Sequence, residues 1–266
     1  MDTLKVILLI LLVAAFAVGQ VPTVVEGGII DGASFSKGQA VAPGGVVSIF
    51  GSGLAASLLQ AGTIPLSTSL GNTSVTFNGV PAPLYFVSDG QINAQVPWNA
   101  LSGGATAGSA NVVVARGGAS SAPRSVSIGP FSPGIFSIPA GEGYAIAINP
   151  DGSIAAPVGA IPGFPTRPVK AGEALIILAN GLGAVTPEVS SGAAGGSTLR
   201  NTNTKPTVLI GGQSAQVAFS GLSPQFPGIN QLNIVVPSVT PGDQVPLQID
   251  IGGIRTTSKV IISVGR

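Results

Sequence analysis

The sequence predicts an all-β protein built as two tandem immunoglobulin-like sandwiches, and three observations predict it. The apolar residues, 45% of the chain, are rich in Val and Ile and fall in short runs. Those runs are punctuated by 39 Gly and 22 Pro, the composition of many tight turns. A set of landmarks also occurs twice in the same order, the signature of a repeated unit of about 95 residues. No stretch keeps the 3.6-residue period of an amphipathic helix, and each unit has the size and strand spacing of a sandwich.

In order along the chain, Lys5 precedes the apolar run Val6–Val18, and the small residues Ala17 and Gly19 stand at the positions required for cleavage before Gln20. As a helix the run would span roughly 20 Å, short of the roughly 30 Å of a bilayer core, so residues 1–19 read as a secretory signal. Residues 20–35 read as a leader. The first unit is expected over residues 36–129 and the second over 169–266, with a Pro-rich β-hairpin linker at 130–168.

The landmarks fix that division. APGGVVSIFGSGLA (Ala42–Ala55) returns as KAGEALIILANGLGA (Lys170–Ala184), with Gly44 and Gly53 spaced like Gly172 and Gly181. SVTFNGVPAPLYFV (Ser74–Val87) aligns with TVLIGGQSAQVAF (Thr207–Phe219), each a strand, a Gly turn and a second strand. QINAQVP (Gln91–Pro97) returns as QLNIVVP (Gln231–Pro237), and the stretch Asn111–Ile128 matches Leu247–Val264 around a glycine pair. Glycine at repeated turns has a mechanical reason, since hairpin turns need positive φ. In the linker, Asn149-Pro150-Asp151-Gly152 has the residues of a type I turn between two short strands.

The repeated amide motif reads as scaffold by alternation. Ile92, Ala94 and Val96 share one strand face, and Gln91, Asn93 and Gln95 the other; Leu232, Ile234 and Val236 likewise oppose Gln231 and Asn233. Pro97 and Pro237 cannot donate to a ladder and are expected to end the strand. The amides are expected to tie a neighbouring loop's backbone, with contact to a sugar or peptide as the alternative.

These blocks carry a resemblance. VSIFGSGL (47–54), PAPLYFVSDGQINAQVPW (81–98), SPGIF (132–136), NPDGS (149–153), NGLGAVTP (180–187) and PGINQLNIVVP (227–237) resemble a family of secreted bacterial domains, the Solibacter-type C-terminal domain, from about residue 36 onward. Asp89 stands where that family more often carries proline. Each unit is also similar to an IPT/TIG-type immunoglobulin-like module through Pro43-Gly44-Gly45 and Ile49-x-Gly51-x-Gly53-Leu54. The resemblance implies a fold and an extracytoplasmic address, and brings no catalytic residues.

Composition narrows the function. Neither His nor Cys occurs, which removes disulfides, thiolate chemistry, His-ligated metals and any Ser-His or Cys-His pair. A net charge of +1 with scattered Lys and Arg gives no footprint for nucleic acid or an anionic membrane surface. The acidic residues are spread thinly and form no local pair of the glycosidase kind. No cofactor, metal site or catalytic residue is predicted. The expected role is a secreted, non-catalytic binding or adhesion module for a polysaccharide, cell-surface or protein partner, with a structural or assembly role and an envelope-polymer hydrolase as rivals. Recognition is expected from the long connections Leu54–Asn72 and Leu182–Lys205, which sit at the same place in each unit; tolerated insertions or a further edge strand within them are the alternatives. Arg200, Asn201, Asn203 and Lys205, in the polar stretch 195–205, are the candidate contacts, together with Trp98 as an aromatic platform, for which a core or domain-interface plug is the alternative.

Overall fold

A computed structural model describes residues 20–257 and 259–266; the expected signal segment, 1–19, lies outside the described residues. All regular structure among them is β. The principal strands are β1 (Thr23–Asp31), β2 (Val46–Ser52), β3 (Thr73–Phe77), β4 (Leu84–Val87), β5 (Gln91–Gln95), β6 (Gly108–Arg116) and β7 (Arg124–Ile128). They are followed by β8 (Ala174–Asn180), β9 (Thr207–Ile210), β10 (Gln213–Leu222), β11 (Asn230–Val235), β12 (Gly242–Ile251) and β13 (Lys259–Val264).

In the first half one layer runs β1-β2-β5-β4 with the short strand Leu59–Gln60 at its far edge. The other layer centres on β6, flanked by β3 and β7. Alternation drives the layers together: Ile49, Val75, Phe77, Leu84, Ile92 and Val112 are buried between them. The expected leader is itself β1, antiparallel to β2 with a bulge between Val24 and Ile29. Its end, Ile29 to Asp31, is continuously buried.

The second half closes on its own core, including Leu175, Ile177, Ile210, Leu232, Ile249 and Ile262. Its layers are continuous because β10 pairs with β9 through Gln213–Ala215 and then with β11 through Gln216–Leu222. The hairpin expected between the halves forms: Ile148 pairs with Ile154, and the Gly152 N–H donates to the Asn149 carbonyl at 3.0 Å. That segment is hydrogen-bonded into the second half's sheet, with Ala147–Ile148 on β8 and Glu142–Ala145 parallel to β13. Backbone groups of a segment laid against a sheet edge need partners, and the edge offers them.

The repeated landmarks have matching geometry. Gly44 and Gly172 have φ of 77° and 83°. Gly44 N–H donates to Val96 O and Gly172 N–H to Val236 O, both at 2.9 Å. Gly53 and Gly181 are likewise left-handed, at φ 64° and 69°. Strands β5 and β11 both stop two residues short of their proline, Pro97 and Pro237.

Candidate functional site

Two adjoining clefts, of about 730 and 420 Å³, open between the halves. Both lie in the size range of small-ligand sites. Trp98, Asn99, Ala184, Glu188 and Asn203 line both, and Phe131 adds an aromatic wall to the larger. Trp98 enters from the end of the QINAQVP stretch, while Glu188 and Asn203 come from the long connection after β8.

The seat of Trp98 follows from a glycine. A Cβ on Gly44 would lie 2.0 Å from the indole Cη2, so only a residue with no side chain leaves room for the ring. The Trp98 backbone N–H donates to Ser191 Oγ at 3.1 Å, tying the platform to the second half. Its side chain is half-buried, and the indole Nε1–H is buried with no partner among the described residues.

The stretch 195–205 divides sharply. Asn203 is exposed, accepts a hydrogen bond from Thr186 Oγ1 at 2.7 Å and lines both clefts. Arg200 is engaged by the protein's own backbone. Its guanidinium donates to Gly195 O at 3.2 Å, to Pro187 O at 3.0 Å and to Glu188 O, so it clamps the wall that carries Glu188. Asn201 lies in a two-residue strand against Thr186 and Gly221, and Lys205 is exposed and outside both clefts. The other long connection likewise contains the short strands Leu59–Gln60 and Ser69–Leu70. Asn99, Phe131 and Glu188 were not singled out in the sequence; Asn99 had adjacency to Trp98 as its only signal.

Docking of the halves holds the cleft walls in place. Gln95, fully buried, donates to Gly44 O at 2.9 Å and accepts from the Gly192 N–H. Tyr85 donates its hydroxyl to Pro227 O, and burial pushes its phenol well above the ordinary tyrosine range. Asn180 pairs with the Val46 backbone in both directions at 2.8 Å and donates to Asp31. Asp31, also buried, accepts from the Ala33 and Ser34 N–H groups at 3.0 and 2.7 Å. Desolvation raises its pKa above the ordinary aspartate value, outweighing those hydrogen bonds.

The repeated amides take a different part from the one expected of them. Gln91 Nε2 donates to Asn93 Oδ1 at 2.8 Å, and Gln231 Nε2 to Asn233 Oδ1 at 2.8 Å. They pair along their own strand, and the loop-tying task falls to Gln95, where the second copy has Val235. Asp151 sits in the expected turn: it accepts from the Ser153 hydroxyl and N–H, and Arg167 bridges it to Glu173. The Ser153 hydroxyl, first, and Arg167 hold the Asp151 carboxyl well below its ordinary range.

A model of the IPT/TIG domain family matches residues 29–131. Among solved structures, the chain is similar to the Bacteroides ovatus mixed-linkage glucan utilization locus protein SGBP-B, solved in complex with a mixed-linkage heptasaccharide, at 13% identity and a TM-score of 0.36. The likeness covers 91% of this chain and 45% of that one, so the chain spans less than half of its length. No curated protein matches the chain.

Proposed function

We propose that this chain is an extracytoplasmic, non-catalytic recognition module that holds a saccharide chain in the paired clefts beside Trp98. The observation that carries the reading is the meeting of Trp98 and Asn203, far apart in sequence, on the walls of both clefts. An indole offers an apolar face to the C–H side of a sugar ring, and the amides of Asn99 and Asn203 can donate to and accept from its hydroxyls. Glu188 is the sole carboxylate in either lining, and a glycosidase needs two flanking its bond. Asp151 and Glu173, outside both linings, are each ion-paired with Arg167.

The reading treats residues 36–129 and 169–266 as two IPT/TIG-like units of one kind, with 130–168 packed on the second. It is supported by the family match over the first and by the matching turns at Gly44 and Gly172. An exported address rests on the signal-like residues 1–19; no helix among the described residues is long and apolar enough to cross a membrane.

The test is titration calorimetry of the purified protein against a panel of soluble polysaccharides, with Trp98→Ala and Asn203→Ala in parallel. Saturable binding that both variants weaken is the expected result. Binding that neither variant changes overturns the assignment of the cleft.

A further inference from the structure

We propose a second saccharide site, independent of the Trp98 cleft, on the outer face of the β2-β5-β4 sheet, where Phe86, Asn93 and Gln91 form a platform for an uncharged sugar ring. Ser48, Asn93, Phe86 and Gln60 are cross-strand partners in one row across this sheet. Neighbours in such a row share a face and lie about 5 Å apart. The row borders a cavity of about 380 Å³ lined by Asn93, Phe86, Tyr85, Phe136 and Gln60 among others, and none of its lining residues is charged.

The amides are set in one orientation and left half used. Asn93 Oδ1 accepts from Gln91 Nε2 and from Ser48 Oγ at 3.1 Å. That leaves the Asn93 Nδ2 donor and the Gln91 Oε1 acceptor without partners among the described residues, on side chains that are only half-buried. A pyranose presents hydroxyls that both donate and accept and a C–H face that packs on an aromatic ring. An uncharged lining favours a neutral sugar, because an acidic one would lose its hydration with no cation to replace it.

The arrangement recurs in the second half. In the second half Phe219 is the cross-strand partner of Asn233, and Gln231 donates to Asn233 in the same sense. A bulge precedes the aromatic in both places, between Leu84 and Phe86 and between Val217 and Phe219. A bulge re-aims the following side chain, so the same device turns each Phe toward its Asn.

The experiment uses the full chain carrying Trp98→Ala, so that loss of the cleft does not mask this site, and follows the side-chain amide resonances of Asn93 and Gln91 by NMR. The probes are neutral gluco- and manno-oligosaccharides, with oligogalacturonate as the acidic comparison. The expected result is saturable shifts of both amides with a neutral oligosaccharide, an affinity lowered about tenfold by Phe86→Ala and retained by Phe86→Tyr. Gln60→Ala, on an exposed two-residue edge strand, also weakens binding and carries the test if Phe86→Ala fails to fold. Absence of amide shifts with every neutral probe overturns the proposal. So does equal or tighter binding of oligogalacturonate, or an affinity that Gln60→Ala and a folded Phe86→Ala both leave unchanged.

Discussion

The two halves follow one plan and diverge at a few residues, and the divergence shows which residues serve the fold and which serve the junction. In the second half β10 is an unbroken ten-residue strand that crosses from one layer to the other. The corresponding stretch of the first half carries Pro81 and Pro83 and is split into Val80–Pro81 and β4, so its layers remain separate sheets. The amide strand differs at one informative place. Gln95 is buried and bonded to both Gly44 and Gly192, whereas Val235 is half-buried and has no such task. Residues shared by both copies make turns and strand faces. Residues peculiar to one copy make the contact between them.

The strongest way to break this comparison is at the paired glycines. Gly44→Ala adds left-handed strain and drives a methyl into the Trp98 ring, and is expected to cost about 3 kcal/mol or more. Gly172→Ala meets nothing within 4 Å and should cost only the strain, about 1–2 kcal/mol. Denaturant unfolding of the pair measures the difference, and equal costs would show that Trp98 gives way freely.

Next in size is Gln95→Val, which makes the first copy like the second. It leaves the Gly44 carbonyl and Gly192 N–H buried without a partner and should cost about 2–4 kcal/mol. The reciprocal Val235→Gln should change stability by no more than about 0.5 kcal/mol. If the two substitutions were equally costly, Gln95 would be a strand residue and not a junction residue.

Asp31→Asn sharpens the junction through pH. The folded pKa of Asp31 is raised, so the folded state binds its proton more tightly than the unfolded chain does. Its contribution is therefore fully present below the unfolded aspartate value and is lost as pH rises through the folded one. The penalty of Asp31→Asn should be largest at acid pH and shrink toward neutrality, read as the melting-temperature difference across a pH series. A penalty that grows toward neutrality would mean that the ionised carboxylate is the better partner for Asn180.

The smallest effect is expected at the solvent-facing Arg167 bridge, which belongs to the second half alone. Arg167→Ala should lower the melting temperature slightly at low salt and less at high salt, since exposed pairs are screened. Insensitivity of that loss to salt would point to the Arg167 backbone contacts instead.

Alternation alone put Ile92, Ala94 and Val96 on one strand face and Gln91, Asn93 and Gln95 on the other, because a strand's side-chain period is fixed by the backbone. The turn glycines were legible for the same local reason: only glycine adopts positive φ without a steric cost. The strand β1 was missed because GG interrupts its pattern and a bulge absorbs the interruption. The clamp made by Arg200 was not legible in the sequence: its three carbonyl partners lie up to 13 residues away and leave no trace in local composition.

The sequence by itself determined the all-β class, the placement of the repeated strands and their turns, and the absence of His and Cys chemistry. Each of these depends on residue type or on spacing within one strand or turn. Only the tertiary structure decided that Trp98 and Asn203 line the same clefts, that Gln95 bridges the halves, and that Asp31 is buried against Asn180. Those pairings join residues about 100 or more positions apart, and the docking of two curved surfaces brings them together.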